Sequence, residues 1–109
     1  MTEKLLGKIT FAEFGTIHDM PCFFGLQLGF GMGGSGVMDG GRYTINISPE
    51  CKWESFNERD RMTFDLMEAI HKILKDAKVN YVSELIGKPV EVTLNENCFA
   101  GFRILTEVL

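Results

Sequence analysis

The sequence has no pair of cysteines at a metal-binding or redox spacing. Its three cysteines, Cys22, Cys51 and Cys98, lie far apart in 109 residues and form no Cys-x-x-Cys motif. This spacing excludes a disulfide scaffold and predicts reduced thiols, as in a cytosolic protein. His18, Asp19 and Cys22 are close together, but no second ligand pair has metal spacing. We therefore expect a turn followed by a core cysteine, and neither a metal nor a cofactor.

The sequence also lacks a basic run and an apolar leader. Its net charge is −4, which disfavours nonspecific binding to the backbone of DNA. The first residues mix acidic and basic side chains, so we expect no signal peptide. Residues 20–38 carry no charge, but their glycines and Pro21 argue against a membrane-spanning helix. We expect a protein that binds neither DNA nor membranes.

The overall composition is that of an ordinary globular domain. It is 45% hydrophobic and 24% charged, and 109 residues are enough to form a hydrophobic core that needs no disulfide or structural metal. We therefore expect a single domain spanning residues 1–109.

Alternating apolar residues predict strands at residues 5–14, 22–30 and 42–48 before a helix, and at residues 89–94 and 98–109 after it. Ser55 and Glu58 form a capping box, which starts a helix predicted for residues 56–78. A short turn is expected at residues 83–87. The order βββ-α-ββ predicts an α+β fold with a five-stranded antiparallel sheet and one long helix. The helix carries a broad apolar stripe, which also indicates an oligomer.

The stretch GFGMGGSGVMDGG, residues 29–41, contains seven of the twelve glycines. Within it, residues 31–36 match G-x-G-x-x-G, but a strand rather than a helix is predicted to follow, which excludes a dinucleotide-binding fold. The kinase and P-loop motifs are incomplete. Two interpretations stay open: a lid or anion-binding nest, or a plain hairpin loop. The first makes Gly33, Gly34, Ser35 and Gly36 candidate ligand contacts.

No arrangement of side chains in the sequence resembles a catalytic site. There is no nucleophile elbow and no metal motif, and the acidic residues of the helix fit its start and its solvated face. We therefore expect a protein that is not an enzyme.

The C-terminal third resembles a family of small phage and prophage proteins. The resemblance rests on Lys-Asp-Ala-Lys-Val at residues 75–79, Leu-Ile-Gly-Lys-Pro-Val-Glu-Val at residues 85–92 and Arg-Ile-Leu-Thr-Glu-Val-Leu at residues 103–109. GKITFAEFG at residues 7–15 resembles the first strand of that family. The pattern is also similar to the first-described anti-Thoeris sponge proteins of phages, although residues 29–41 are richer in glycine than the aromatic-containing pattern of that family.

This resemblance implies a function for the chain. Anti-Thoeris sponges bind cyclic ADP-ribose isomers made by bacterial TIR-domain enzymes, do not cleave them, and so inhibit anti-phage defence. The resemblance implies an α+β homo-oligomer, a dimer or hexamer, in the cytoplasm of the host bacterium. The ligand would be a cyclic ADP-ribose isomer or, as in relatives, a cyclic oligonucleotide. The alternatives are a phage accessory protein or inhibitor that acts through a protein surface, and a small nucleotide-cleaving enzyme.

A nucleotide needs cations for its phosphates and rings for its base. Strand alternation predicts Arg103 on the same face as Phe99, and Arg42 opens the strand after the glycine stretch. Gln27 lies on a strand face lined with glycine, where a ligand has room to approach. Simpler alternatives stand beside these roles: Arg103 could pair with Glu91 or Glu107, and Arg42 could be a surface residue. Trp53 fits a core or interface anchor better than a stacking platform for the base.

Overall fold

The computed structural model describes residues 1–109, except for the side chain of Phe56. The chain forms six strands, one α-helix and two short 3-10 helices. In chain order these are β1 (Thr2–Ile17), β2 (Met20–Met32), β3 (Ser35–Met38), β4 (Thr44–Asn46), α1 (Phe56–Ala77), a 3-10 helix (Val82–Leu85), β5 (Pro89–Asn95), β6 (Cys98–Ile104) and a 3-10 helix (Thr106–Val108).

All six strands belong to one antiparallel sheet: five follow the order β3-β2-β1-β5-β6, and β4 also pairs with β2. β3 pairs with one end of β2, where Val37 lies opposite Phe30, and β4 pairs with the other end, where Ile45 lies opposite Phe24. β3 and β4 therefore occupy the same edge of the sheet, with the residues between them forming an interruption.

The core lies between the concave face of this sheet and the second half of α1. Strand alternation places one residue in two on that face, and the helix contributes residues spaced three and four apart. The fully or nearly buried side chains are Ile9, Ala12, Leu26, Leu28, Phe30, Ile70, Ile73, Ala77, Leu85, Val90, Val92, Leu94 and Ile104.

The α+β class, the antiparallel sheet and the single long helix are confirmed, but the prediction of five strands is wrong. The sixth strand, β3, lies inside the glycine stretch, which the sequence interpretation treated as a connection because glycine is depleted in strands. The neighbouring strand overrides this propensity, since residues 35–38 pair with residues 29–32 of β2.

The helix boundaries agree closely with the capping signals. Ser55 Oγ accepts a hydrogen bond from the Glu58 N–H at 3.1 Å, and the Glu58 carboxylate accepts one from the Glu54 N–H. Lys78 ends α1 in the left-handed conformation rather than extending it. The last strand stops at Ile104, before the second 3-10 helix, whereas the sequence predicted it to continue to residue 109.

The sheet is curled, so β3 and β6, at its two edges, contact each other. Inside the sheet, the neighbouring strands β1 and β2 come so close at Gly7 that a Cβ atom there would lie 2.3 Å from the carbonyl oxygen of Gly31. Only glycine is compatible with this approach. Phe30 on β2 stacks on Phe99 of β6, with ring centroids 5.2 Å apart and an interplanar angle of 9°. Among the described residues, no helix combines the length and the apolar character needed to cross a membrane.

Candidate ligand-binding groove

An open groove of about 940 Å³ lies between the sheet and the first half of α1. Phe14, Phe24 and Ile45 line it from the sheet, and Leu66 and Met67 line it from the helix. Residues 47–55, which connect β4 to α1, form its third side. The volume falls within the range of about 300–1,000 Å³ that small-molecule sites occupy.

The groove exists because α1 packs closely on the sheet only in its second half. Ile70, Ile73 and Ala77 are buried, whereas residues 59–65 are exposed. On the facing part of the sheet, Phe14 contacts Phe24 edge to face, with ring centroids 5.1 Å apart. Phe14 is nevertheless 45% exposed. The groove is therefore a continuation of the core that the chain's own side chains do not fill.

The end of the groove near the start of α1 combines a large ring with charges. Trp53 is half-buried there, and Lys52, Glu54 and Arg59 also line the groove. Arg59 forms an ion pair with Asp60 at 3.4 Å. Aromatic faces suit a planar base, and cationic side chains suit phosphate or carboxylate groups. Such a groove can bind a ligand that has a ring and a negative group.

Two of the residues predicted to bind a ligand come together elsewhere, at the edge of the sheet. The guanidinium carbon of Arg42 lies 5.5 Å from the ring centroid of Phe99, which is the geometry of a cation–π contact. A shallow depression of about 560 Å³ adjoins this pair and is also lined by Asp39, Asn97 and Cys98. The Arg42–Phe99 pair is thus separate from the groove, since neither residue lines it.

Asp39 holds the loop that carries Arg42. Its carboxylate is buried and accepts hydrogen bonds from the N–H groups of Leu28, at 3.0 Å, and Gly41, at 3.1 Å. It thereby satisfies a β2 donor at the interruption between β3 and β4, where no edge strand is present. Gly40 and Gly41 both have positive φ, as a type I′ turn requires.

Burial raises the pKa of two groups in this loop, Asp39 and Tyr43. Desolvation raises the pKa of Asp39 above its ordinary value of 3.8, against the lowering effects of the hydrogen bonds from Gly41 and Leu28 and of the nearby Arg42 charge. Desolvation also raises the pKa of Tyr43 to about 12, so its phenol stays neutral. The sequence interpretation did not single out Asp39, although Asp-Gly is a known turn signal.

Arg103 does not join Phe99 in the way that strict alternation predicts. Phe99 packs on Phe30 and Phe102 at the core, because a bulge in β6 at Ala100 shifts the register against β5. Arg103 instead hydrogen-bonds Glu91, at 3.1 Å, and Glu107, at 3.2 Å. These bonds, led by the one to Glu107, raise the pKa of the Arg103 guanidinium. The arrangement is the ion-pair alternative that the sequence left open.

The remaining predicted contacts lie apart from the groove. Gln27 pairs with Glu13 on strands β2 and β1, and its buried neighbours Leu26 and Leu28 face the core, so Gln27 lies on the opposite face. Gly33 and Gly34 form the two-residue turn between β2 and β3, and Ser35 and Gly36 begin β3. All four are exposed.

The space beside the glycines of β2 is occupied by the chain itself. A Cβ atom at Gly29 would lie 2.9 Å from Met38 Sδ and 3.0 Å from Phe11 Cβ. The glycine-lined face is therefore covered at this point by neighbouring side chains of the same sheet, which leaves less room for a ligand than the sequence indicated.

The sequence interpretation missed most of the groove. Phe14 and Phe24 were assigned only to strands, and Trp53 was interpreted as a core or interface anchor. The one available signal was a lone tryptophan next to Lys52, just before a helix cap. Comparison with known proteins adds no relative, since no protein-family model, curated protein or solved structure matches this chain.

Proposed function

We propose that this chain is a non-catalytic binding protein that sequesters a nucleotide second messenger of the cyclic ADP-ribose type. The observation that carries the proposal is the open groove with Phe14, Phe24 and Trp53 along its walls and Lys52 and Arg59 near the helix start. The resemblance of the C-terminal third to phage sponge proteins points to the same ligand class. In that setting the protein would act in the cytoplasm of the host bacterium and inhibit anti-phage defence.

In this proposal the groove binds the base and the phosphates by different means. The adenine ring stacks on Trp53 or on the Phe14–Phe24 pair, and such stacking contributes about 1–3 kcal/mol per base. Lys52 and Arg59 bind the pyrophosphate through charge-assisted hydrogen bonds. The apolar surface of the groove then stabilises the remainder of the ligand by excluding water from it.

The hydroxyl groups at the groove support binding rather than cleavage. Ser55 Oγ accepts the hydrogen bond that caps α1, and Ser48 Oγ accepts one from the Glu50 N–H at 3.2 Å. Thr63 Oγ1, the third hydroxyl at the groove, donates to the Arg59 carbonyl oxygen at 2.8 Å. The hydrogen bonds of these three hydroxyls thus go to backbone groups, whereas a nucleophilic hydroxyl donates to a general base. The two serine hydroxyls stabilise the connection that forms one side of the groove.

Ligand recovery tests the proposal. The purified protein is mixed with the cyclic ADP-ribose product of a TIR-domain enzyme, separated from free ligand by filtration, and heat-denatured. We expect the intact nucleotide to be released in stoichiometric amount. Release of a cleaved product would make the chain an enzyme. No uptake, with cyclic oligonucleotides also failing, would contradict sequestration and favour a protein that acts through its surface.

A further inference from the structure

One carboxylate lines the groove without a partner in the described part of the chain. Among the described residues that line the groove, Glu54 is the only acidic one. Its backbone N–H donates to the Glu58 carboxylate at 2.8 Å. Its own carboxylate forms no hydrogen bond or ion pair with another described residue. Glu54 is also exposed, so its oxygens are available to accept hydrogen bonds from a ligand.

Glu54 lies between the residues assigned to the base and to the phosphates. Trp53 precedes it in the chain, and α1, which carries Arg59 near its start, follows it. In a nucleotide the ribose lies between the base and the phosphates. With the base on Trp53 and the phosphates at Arg59, as in the proposed function, the ribose lies beside Glu54.

A carboxylate and a ribose are complementary in their hydrogen bonding. An ionised carboxylate only accepts hydrogen bonds, and ribose hydroxyls can donate to it. Dinucleotide-binding folds use this pairing, since an acidic side chain there binds a ribose hydroxyl and an arginine instead accommodates a 2′-phosphate. The hydroxyls of Ser48, Ser55 and Thr63 are already bonded to backbone groups. Glu54 is thus the one charged acceptor among the described residues of the groove.

We propose that Glu54 determines which nucleotides the groove accepts: it binds ligands whose ribose hydroxyls are free and excludes ligands that carry a phosphate on the ribose. This inference rests on the proposed function and narrows its ligand class. Lys52 and Arg59 attract both kinds of ligand, because both carry a pyrophosphate. Discrimination must therefore come from a group that repels the additional phosphate, and the Glu54 charge does so.

Calorimetric titration of cyclic ADP-ribose and of its 2′-phosphate tests the proposal. The wild type should bind cyclic ADP-ribose at least about tenfold more tightly than the 2′-phosphate. Glu54→Gln keeps an acceptor oxygen but no charge. It should bind the 2′-phosphate more tightly than the wild type does, with a preference below roughly threefold. Glu54→Lys should reverse the preference, because its ammonium group attracts the additional phosphate.

Glu50→Lys is the matched control for the change in charge. Glu50 is exposed and lies in the same connection between β4 and α1, but it does not line the groove. The control changes the net charge by the same amount as Glu54→Lys and should keep the wild-type preference. Circular dichroism confirms that every variant is folded.

The outcomes separate this inference from the proposed function. A wild type that binds both ligands equally overturns the role of Glu54 and leaves nucleotide binding intact. The same holds if Glu54→Gln keeps the wild-type preference or if Glu50→Lys reverses it as Glu54→Lys does. A wild type that binds neither ligand overturns the proposed function, and this inference with it.

Discussion

Arg42 and Phe99 connect two edges of the sheet that do not pair through their backbones. The Arg42 guanidinium carbon lies 5.5 Å from the centroid of the Phe99 ring, with Arg42 in the loop before β4 and Phe99 on β6. Phe99 in turn stacks on Phe30 of β2. The contact therefore helps to keep the curled sheet closed over its core.

Replacing Arg42 should weaken this closure slightly. Arg42→Ala removes an exposed cation–π contact, which is worth about 0.5–1 kcal/mol. We expect a decrease of that size in the free energy of unfolding, measured by urea denaturation, with Arg42→Lys retaining part of it. Arg103→Ala, which removes an exposed ion pair, is the control for loss of an arginine. A decrease above about 2 kcal/mol for Arg42→Ala would show that Arg42 does more than contact Phe99.

Asp39→Ala should lower the free energy of unfolding more than Arg42→Ala does, because it leaves the buried N–H of Leu28 without an acceptor. An unsatisfied buried donor costs about 1–3 kcal/mol, and we expect a loss of stability in this range by urea denaturation. Asp39→Asn keeps one side-chain oxygen as an acceptor and should lose less. Equal losses for the two variants would contradict the role assigned to the Leu28 hydrogen bond.

The raised pKa of Asp39 leads us to expect that the stability of the folded protein depends on pH. Because the folded protein holds this proton more tightly than the unfolded chain does, Asp39 contributes most to stability below its unfolded pKa of about 3.8. That contribution is lost as the pH rises through the folded pKa. Between pH 4 and pH 7 the wild type should therefore lose stability relative to Asp39→Asn. A gain over the same range would mean that the hydrogen bonds outweigh burial.

Alanine substitutions at Gly33 and Gly34, the turn between β2 and β3, distinguish an effect of backbone strain from a role in ligand binding. Gly33 has φ of +68°, so an alanine there must adopt a left-handed conformation that costs about 1–2 kcal/mol. Gly34 does not have positive φ, and a Cβ atom there meets nothing within 4 Å. Thermal denaturation should show Gly33→Ala to be destabilised and Gly34→Ala to be nearly unchanged. If Gly34→Ala weakens nucleotide binding at unchanged stability, the interpretation of residues 29–41 as a lid or nest gains direct support.

Lys52 should matter for ligand binding and not for stability. Lys52→Ala removes a cation at the groove, and we expect a two- to tenfold rise in the nucleotide's dissociation constant, the equivalent of roughly 0.5–1.5 kcal/mol. Lys4→Ala, at an exposed position of β1, is the matched control. Calorimetric affinities that fall equally in both variants would indicate a general charge effect.

The local patterns of the sequence predicted the regular elements well. The three- and four-residue spacing of Ile70, Ile73 and Ala77 and the Ser55 cap gave α1 almost to the residue, because both signals are local. β3 escaped prediction because its pairing with β2 outweighs the low strand propensity of glycine. The bulge at Ala100 also escaped prediction, and it moved Phe99 away from Arg103.

The candidate site was harder to predict than the fold. The groove combines Phe14 and Phe24, from two paired strands, with Leu66 and Met67 from the helix, and no spacing along the chain reveals that these side chains meet. Its volume depends on the distance between helix and sheet, which is a property of the tertiary packing. Trp53 was visible in the sequence, but its neighbours in the groove were not.

The central claim is that the Trp53 groove binds a nucleotide, and calorimetric titration of a cyclic ADP-ribose isomer into the wild type and Trp53→Ala tests it most directly. Loss of one stacking partner should cost about 1–3 kcal/mol, or roughly a 5- to 150-fold decrease in affinity. Trp53→Phe should recover much of it, and circular dichroism should show all three proteins folded. Equal affinity in the wild type and Trp53→Ala, or no binding to the wild type at all, would contradict the account.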